Sequence, residues 1–213
     1  MLLNIIGIMA STTQGVVGLN GKVPWYYKDE ILYFKKITYG SIVVTGSTTY
    51  NLLPKSLFIN RHFIVFSRQS ILYSNIFEHD IVLGNIYQNI FTNIKKKNEL
   101  RVIYTTQLCN SIFGLQKLVD NIINSNLQAK NGNIAKIKCS SFGMVYPHIF
   151  MIGGAEIAYY FLKYNLLSCF LLTVVKNIYP GDTYLNIAIF NNKRSTTLYD
   201  CQNYKIIYYF LNT

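Results

Sequence analysis

Five short apolar runs, at residues 4–10, 41–45, 62–67, 149–152 and 168–175, narrow the fold before anything else does. Each is too short for a globular helix, is bounded by polar or turn-forming residues, and reads as a strand buried on both faces. Between them the apolar spacing changes to that of helices, over residues 28–38, 47–53 and 155–162. A further helix is predicted over 113–124, with Leu115, Leu118, Val119 and Ile122 on one stripe. The 47–53 helix stops at Pro54, which cannot donate within a helix. Strands alternating with helices predict an α/β fold, a mostly parallel sheet flanked by helices on its faces, and residues 204–211 add a terminal strand. Residues 69–100 and 124–147, rich in Asn, Lys, Ser and Gly, interrupt that alternation and read as surface insertions.

With 213 residues, 51% of them hydrophobic, the chain can bury one full core, and a single domain over residues 1–213 is expected. A mean hydropathy of +0.21 raises the question of a membrane. The most apolar window, 157–175, is broken by Lys163, Tyr164 and Asn165 and again by Ser168, so it reads as helix, turn and strand rather than a span. The opening residues lack a basic leader and read as the first buried strand, not a signal peptide.

Cys109, Cys139, Cys169 and Cys201 are spread along the chain without the paired spacing of a metal site, and His62, His79 and His148 are equally scattered. Buried thiols in a reducing cytoplasm are the reading, with no metal. The net charge of +11, from 20 basic and 9 acidic residues, is dispersed apart from Lys95, Lys96 and Lys97. Such a field steers anionic ligands and does not by itself name one.

The chemistry lies in four separated blocks. In the first, Pro24-Trp25 is followed by Glu30, Ile31 and Phe34, which on a helix turn one carboxylate and two apolar groups toward a common cavity. The second, Val43 to Tyr50, runs from a strand through Gly46 into a helix start whose unbonded amides suit a phosphate. The third carries Arg61 just before a strand, then Ser67 and Arg68 after it. The fourth sets Gly153-Gly154 between a strand and a helix, where the missing side chains admit a close approach. Taken singly, each block has a plainer explanation: a solvated helix glutamate, a surface arginine, a glycine turn. In this order they resemble dihydrofolate reductase.

That resemblance implies a single dihydrofolate-reductase-like domain ending in an antiparallel hairpin, whose first strand is left between Leu185 and Leu198. It implies reduction of 7,8-dihydrofolate to tetrahydrofolate, with hydride passing from NADPH to C6 and water delivering a proton to N5. The pterin site would be lined by Ile8, Met9, Glu30, Ile31, Phe34, Ile152 and Thr173, with Glu30, Trp25 and Thr173 as the catalytic group. Arg61 would pair with the α-carboxylate of the glutamate tail. The NADPH site would take Ala10, Val17, Gly18, Gly46, Ser47, Thr48, Thr49, Ser67, Arg68, Ile152, Gly153, Gly154, Ala155, Glu156 and Ile157, with the glycine pair joined by a cis peptide and Arg68 on the 2′-phosphate. Ser47 stands where the family usually has Arg or Lys, which removes a charge, and Ala158 where a tyrosine is common, which predicts a slower hydride step. Support for one-carbon metabolism, inhibition by antifolates such as methotrexate or trimethoprim, a monomeric state and a cytoplasmic location follow from the same resemblance. Two other readings stay open. One is an NADPH-dependent pyrimidine reductase of the riboflavin pathway on the same architecture, and the other a catalytically weak basic module that binds nucleic acid.

Overall fold

The computed structural model describes residues 5–57, 61–66, 81–83, 102–105 and 149–211. In chain order the elements are β1 (Ile5–Thr12), β2 (Val16–Gly18), α1 (Lys28–Ile37), β3 (Ile42–Gly46), α2 (Ser47–Leu52), β4 (His62–Phe66), β5 (Ile81–Leu83), β6 (Val102–Thr105), β7 (Ile149–Met151), α3 (Ala155–Lys163), β8 (Cys169–Val175), β9 (Thr183–Tyr184), β10 (Ser195–Asp200) and β11 (Tyr204–Phe210). Single turns of 3-10 helix cover Lys55–Leu57 and Ile187–Phe190.

Nine of these strands form one sheet in the order β10-β11-β8-β1-β7-β3-β4-β6-β5. The pairs from β8 through β5 are parallel, while β11 runs antiparallel to β8 and β10 to β11. A separate pair, β2 and β9, joins the loop after β1 to the one after β8. The α/β architecture, the mostly parallel sheet and the antiparallel C-terminal hairpin are therefore as expected, and the hairpin's first strand is Ser195–Asp200. Ile81–Leu83, inside the predicted 69–100 insertion, is a strand at the sheet's edge, too short to stand out from the polar sequence around it. The helix predicted over 113–124 and the 124–147 segment lie outside the described residues.

Alternation along the strands sorts the core into two faces. Ile42 and Val44 point to the side of α3, where they meet Phe161, Leu172 and Phe190, whereas Val43 points to the side of α1, among Ile8, Phe63, Val65 and Phe150. Ala158, Phe161 and Leu162 are the buried residues of α3. The apolar window 157–175 is thus one amphipathic helix, a turn and a buried strand, and no helix among the described residues is long and apolar enough to cross a membrane.

One feature of the sheet makes a cleft. β1 pairs with β7 only at Ile5, Ile6 and Gly7 but with β8 from Ile6 to Thr12. Beyond Gly7 the carboxyl half of β1 is therefore open on the β7 side, at the point where the chain order reverses, which is where parallel sheets bind ligands.

Candidate active site

α1 begins without a side-chain cap and carries Asp29 and Glu30 in its first turn, where the helix dipole favours acids, and Lys35 and Lys36 in its last. Tyr33, Phe34 and Ile37 lie against the cluster that holds Ile8, Phe150 and Ile152. Ile31 is half-buried on the same helix. The sheet and α1 thus bring Ile8, Phe34 and Ile152 together as one apolar wall. Met9 does not join it: its side chain packs on the α3 face and lies beside Gly153.

Glu30 meets Thr173 of β8 across the open half of β1. Burial pushes the Glu30 carboxyl above the ordinary glutamate value, and a hydrogen bond from Thr173 draws it partway back. Thr173 itself is buried. Burial, and after it the same carboxylate, pushes the Tyr33 phenol up. Trp25, 8% exposed, closes this end with Val16, Val175 and Ile206, its ring 5.6 Å from that of Tyr179.

Arg61 is 5% exposed, which no surface-arginine reading anticipates. Its Nε donates to Thr38 Oγ1 at 3.0 Å, Nη1 to the Leu57 carbonyl at 3.2 Å and Nη2 to the Lys35 carbonyl at 2.6 Å. Burial lowers the guanidinium from its usual value, but the group stays cationic at any physiological pH. Three acceptors from two elements fix the plane of the fork at the end of α1.

On the other side of the cleft two helix starts converge. Gly46, before α2, donates its N–H to the Gly153 carbonyl at 2.9 Å, and the buried Thr45 hydroxyl donates to the same oxygen at 2.8 Å. Neither Gly46 nor Gly154 caps its helix with a side chain. Gly153 has φ +98°, and the Gly153–Gly154 peptide is cis. A methyl group on Gly154 would lie 2.9 Å from Thr49 Oγ1, and one on Gly46 would lie 3.1 Å from Ile157 Cγ1. Ser47, Thr48, Thr49, Ala155, Glu156 and Ile157 all belong to these two helix starts. Ala155 and Glu156 also open a cleft of about 470 Å³ that runs along α3 past Tyr159 and Lys163 to Tyr184 and Asn186. Ala158 faces the core and is fully buried.

Ala10 and Val17 are half-buried, on the Trp25 side and the α3 side respectively. Gly18 accepts the Asp182 N–H at 3.0 Å, and the Asp182 carboxylate in turn accepts the Asn20 N–H at 2.7 Å. The Asn20 bond, and then one from the Thr183 hydroxyl at 2.8 Å, hold the Asp182 carboxyl below the usual carboxylate range. This clasp between the 18–22 turn and β9 is not visible in sequence, since its partners are 162 positions apart. Ser67 and Arg68 lie outside the described residues. Among the described residues no cluster of His, Cys, Asp and Glu is arranged for a metal ion, and Cys169 is a buried free thiol whose ionisation burial pushes up.

A sequence model of the dihydrofolate reductase family matches residues 4–134. The chain belongs to the dihydrofolate reductase family. Dihydrofolate reductase type 8 of Escherichia coli is 26% identical over 189 residues, 88% of this chain and 83% of the relative. The dihydrofolate reductase of Ureaplasma parvum is 25% identical over 203 residues, 95% of this chain and 94% of its own. Over a shorter stretch, 70 residues, the type A10 enzyme of Escherichia coli is 40% identical and covers 32% of this chain. As a dihydrofolate reductase family member the chain is an enzyme, and the strand order sets β7 between β1 and β3.

Proposed function

We propose that the chain reduces 7,8-dihydrofolate to tetrahydrofolate with NADPH as reductant, and so supports one-carbon metabolism. The observation that carries this reading is the half-buried Glu30 carboxyl held by Thr173, at the edge of the wall formed by Ile8, Phe34 and Ile152. An apolar wall with one polar edge suits a flat ring whose amino and amide groups lie on one side. Glu30 bonds that edge and orients the ring, and Thr173 orients Glu30. Trp25 and the loop that bears it exclude bulk water. Arg61, its plane already fixed, offers a cation to the tail carboxylate.

The two helix starts fit a dinucleotide diphosphate: neither α2 nor α3 begins with a side-chain cap, and a side chain on Gly154 would crowd Thr49. Gly46, Ser47, Thr48 and Thr49 would hold it from α2 and Gly153 through Ile157 from α3. When bound, NADPH supplies the hydride. The chain's own part is alignment of two rings, for which proximity alone contributes strongly. Ser47 brings no charge, so the amides carry the diphosphate. Glu30 does not reach N5, and water carries that proton. Residues 1–213 are read as one domain, because strands from both ends of the chain interleave in the one sheet. A monomeric, cytoplasmic enzyme sensitive to methotrexate or trimethoprim completes the reading.

The test is oxidation of NADPH by the purified chain with and without dihydrofolate, repeated with methotrexate. Turnover that depends on dihydrofolate and stops with the inhibitor is expected. NADPH binding without such turnover would move the substrate to the pyrimidine of the riboflavin pathway. Salt-sensitive RNA binding with no NADPH binding would overturn the enzyme reading.

A further inference from the structure

Tyr27 stands between Trp25 and Glu30 at the boundary of α1. Its carbonyl accepts the Ile31 N–H at 3.1 Å, but its side chain caps nothing in the helix. The phenol instead reaches the segment that follows β8. There its oxygen accepts a hydrogen bond from Asn177 Nδ2 at 3.0 Å and shares a second, also 3.0 Å long, with the Tyr179 hydroxyl. The Tyr179 ring packs on Trp25, and the Tyr27 ring lies 5.7 Å from that of Tyr204 on β11. The two stretches that carry the site, 25–30 and 173–179, are therefore tied twice. Glu30 with Thr173 is one tie, and the Tyr27, Tyr179 and Asn177 network is the other.

We propose that Tyr27, Tyr179 and Asn177 are positioning residues for the dihydrofolate site, holding the Trp25 ring and the start of α1 against the end of β8. A half-exposed phenol can satisfy its hydroxyl with water, so nothing in packing alone requires the two hydroxyls to face each other. Facing each other, they link two loops that nothing in the local sequence joins. Loosening them lowers the fraction of molecules whose site is already assembled, and apparent affinity falls by that fraction. The role of these residues toward substrate rests on the reductase reading, but the tie itself does not.

Tyr→Phe changes isolate it, because the rings and their packing remain. Y27F and Y179F are expected to keep the fold and to raise KM for dihydrofolate about two- to tenfold, the range of one modest hydrogen bond, with kcat less affected. Trp25 is the chain's one tryptophan, so its emission reads this loop alone, and acrylamide should quench it more readily in both variants. The double variant should match Y27F, which already breaks both bonds. A lowered Tm with KM and quenching unchanged well below it would mean a merely structural pair and would overturn the proposal, as would fully additive effects. Quenching is read on the free protein. Absence of turnover in the unmutated chain therefore overturns the reductase reading, and unchanged quenching overturns the tie.

Discussion

At the residue scale the site is a set of groups kept in states they would not choose alone. Glu30 shows this most directly, since burial disfavours its charge while its proposed role at the pterin edge needs it. The sign of the consequence follows from linkage. A carboxyl whose folded value is raised binds its proton more tightly in the folded chain, so its contribution favours folding at low pH and is lost as pH rises through the raised value. Glu30→Gln should therefore melt higher than the unmutated protein at about pH 8 and level with it near the unfolded glutamate value of about 4.3. The same variant should keep NADPH binding and lose most turnover, which stopped-flow and steady-state assays would read. Equal turnover across pH would remove Glu30 from its role. Gly153 is the second case: its φ of +98° is closed to side chains, and Met9 fills the space ahead of it. Gly153→Ala should cost on the order of 1–2 kcal/mol in chemical denaturation and weaken NADPH binding further than it weakens the fold.

At the scale of elements, the sequence reading placed β1, α1, β3, α2, β4, β7, α3, β8 and β11 within a residue or two of their observed bounds. Those elements are buried on a face or a stripe, so their periodicity carries them. β2, β5, β6, β9 and β10 escaped it. β9 and β10 are exposed along their length and so show no apolar pattern, while β2, β5 and β6 are only three or four residues long, too short to show a period. Arg61 belongs to this scale as well. Its guanidinium joins the end of α1, through the Lys35 carbonyl and Thr38, to the 3-10 turn at Leu57. Arg61→Lys keeps the charge but not the fork. It should lower stability by on the order of 2 kcal/mol and raise KM for dihydrofolate with little change in kcat. A KM effect without any loss of stability would confine Arg61 to the substrate.

At the scale of the whole molecule, the net charge of +11 acts as self-repulsion in the compact state. Added chloride salt should raise Tm through screening, until the Debye length of about 8 Å at physiological ionic strength has shortened well below the spacing of the surface lysines. A Tm that falls with salt would show instead that local ion pairs, such as Lys176 with Asp200, outweigh the global field. The cleft is equally a property of the whole: it exists because β7 stops pairing with β1 after Gly7. The sequence by itself determined the α/β class, the buried strands, the family resemblance and the residue types at Glu30, Arg61 and the glycine pair, because burial and backbone demands leave local marks. Only the tertiary structure decided which of these residues meet. Thr173 meets Glu30 as the family resemblance implied, but Arg61 turns inward to Thr38, Asp182 holds Asn20, and Tyr27 finds Tyr179 across separations over which local pattern carries no information. Those meetings are set by strand order and register, which burial rewards only once the sheet is complete.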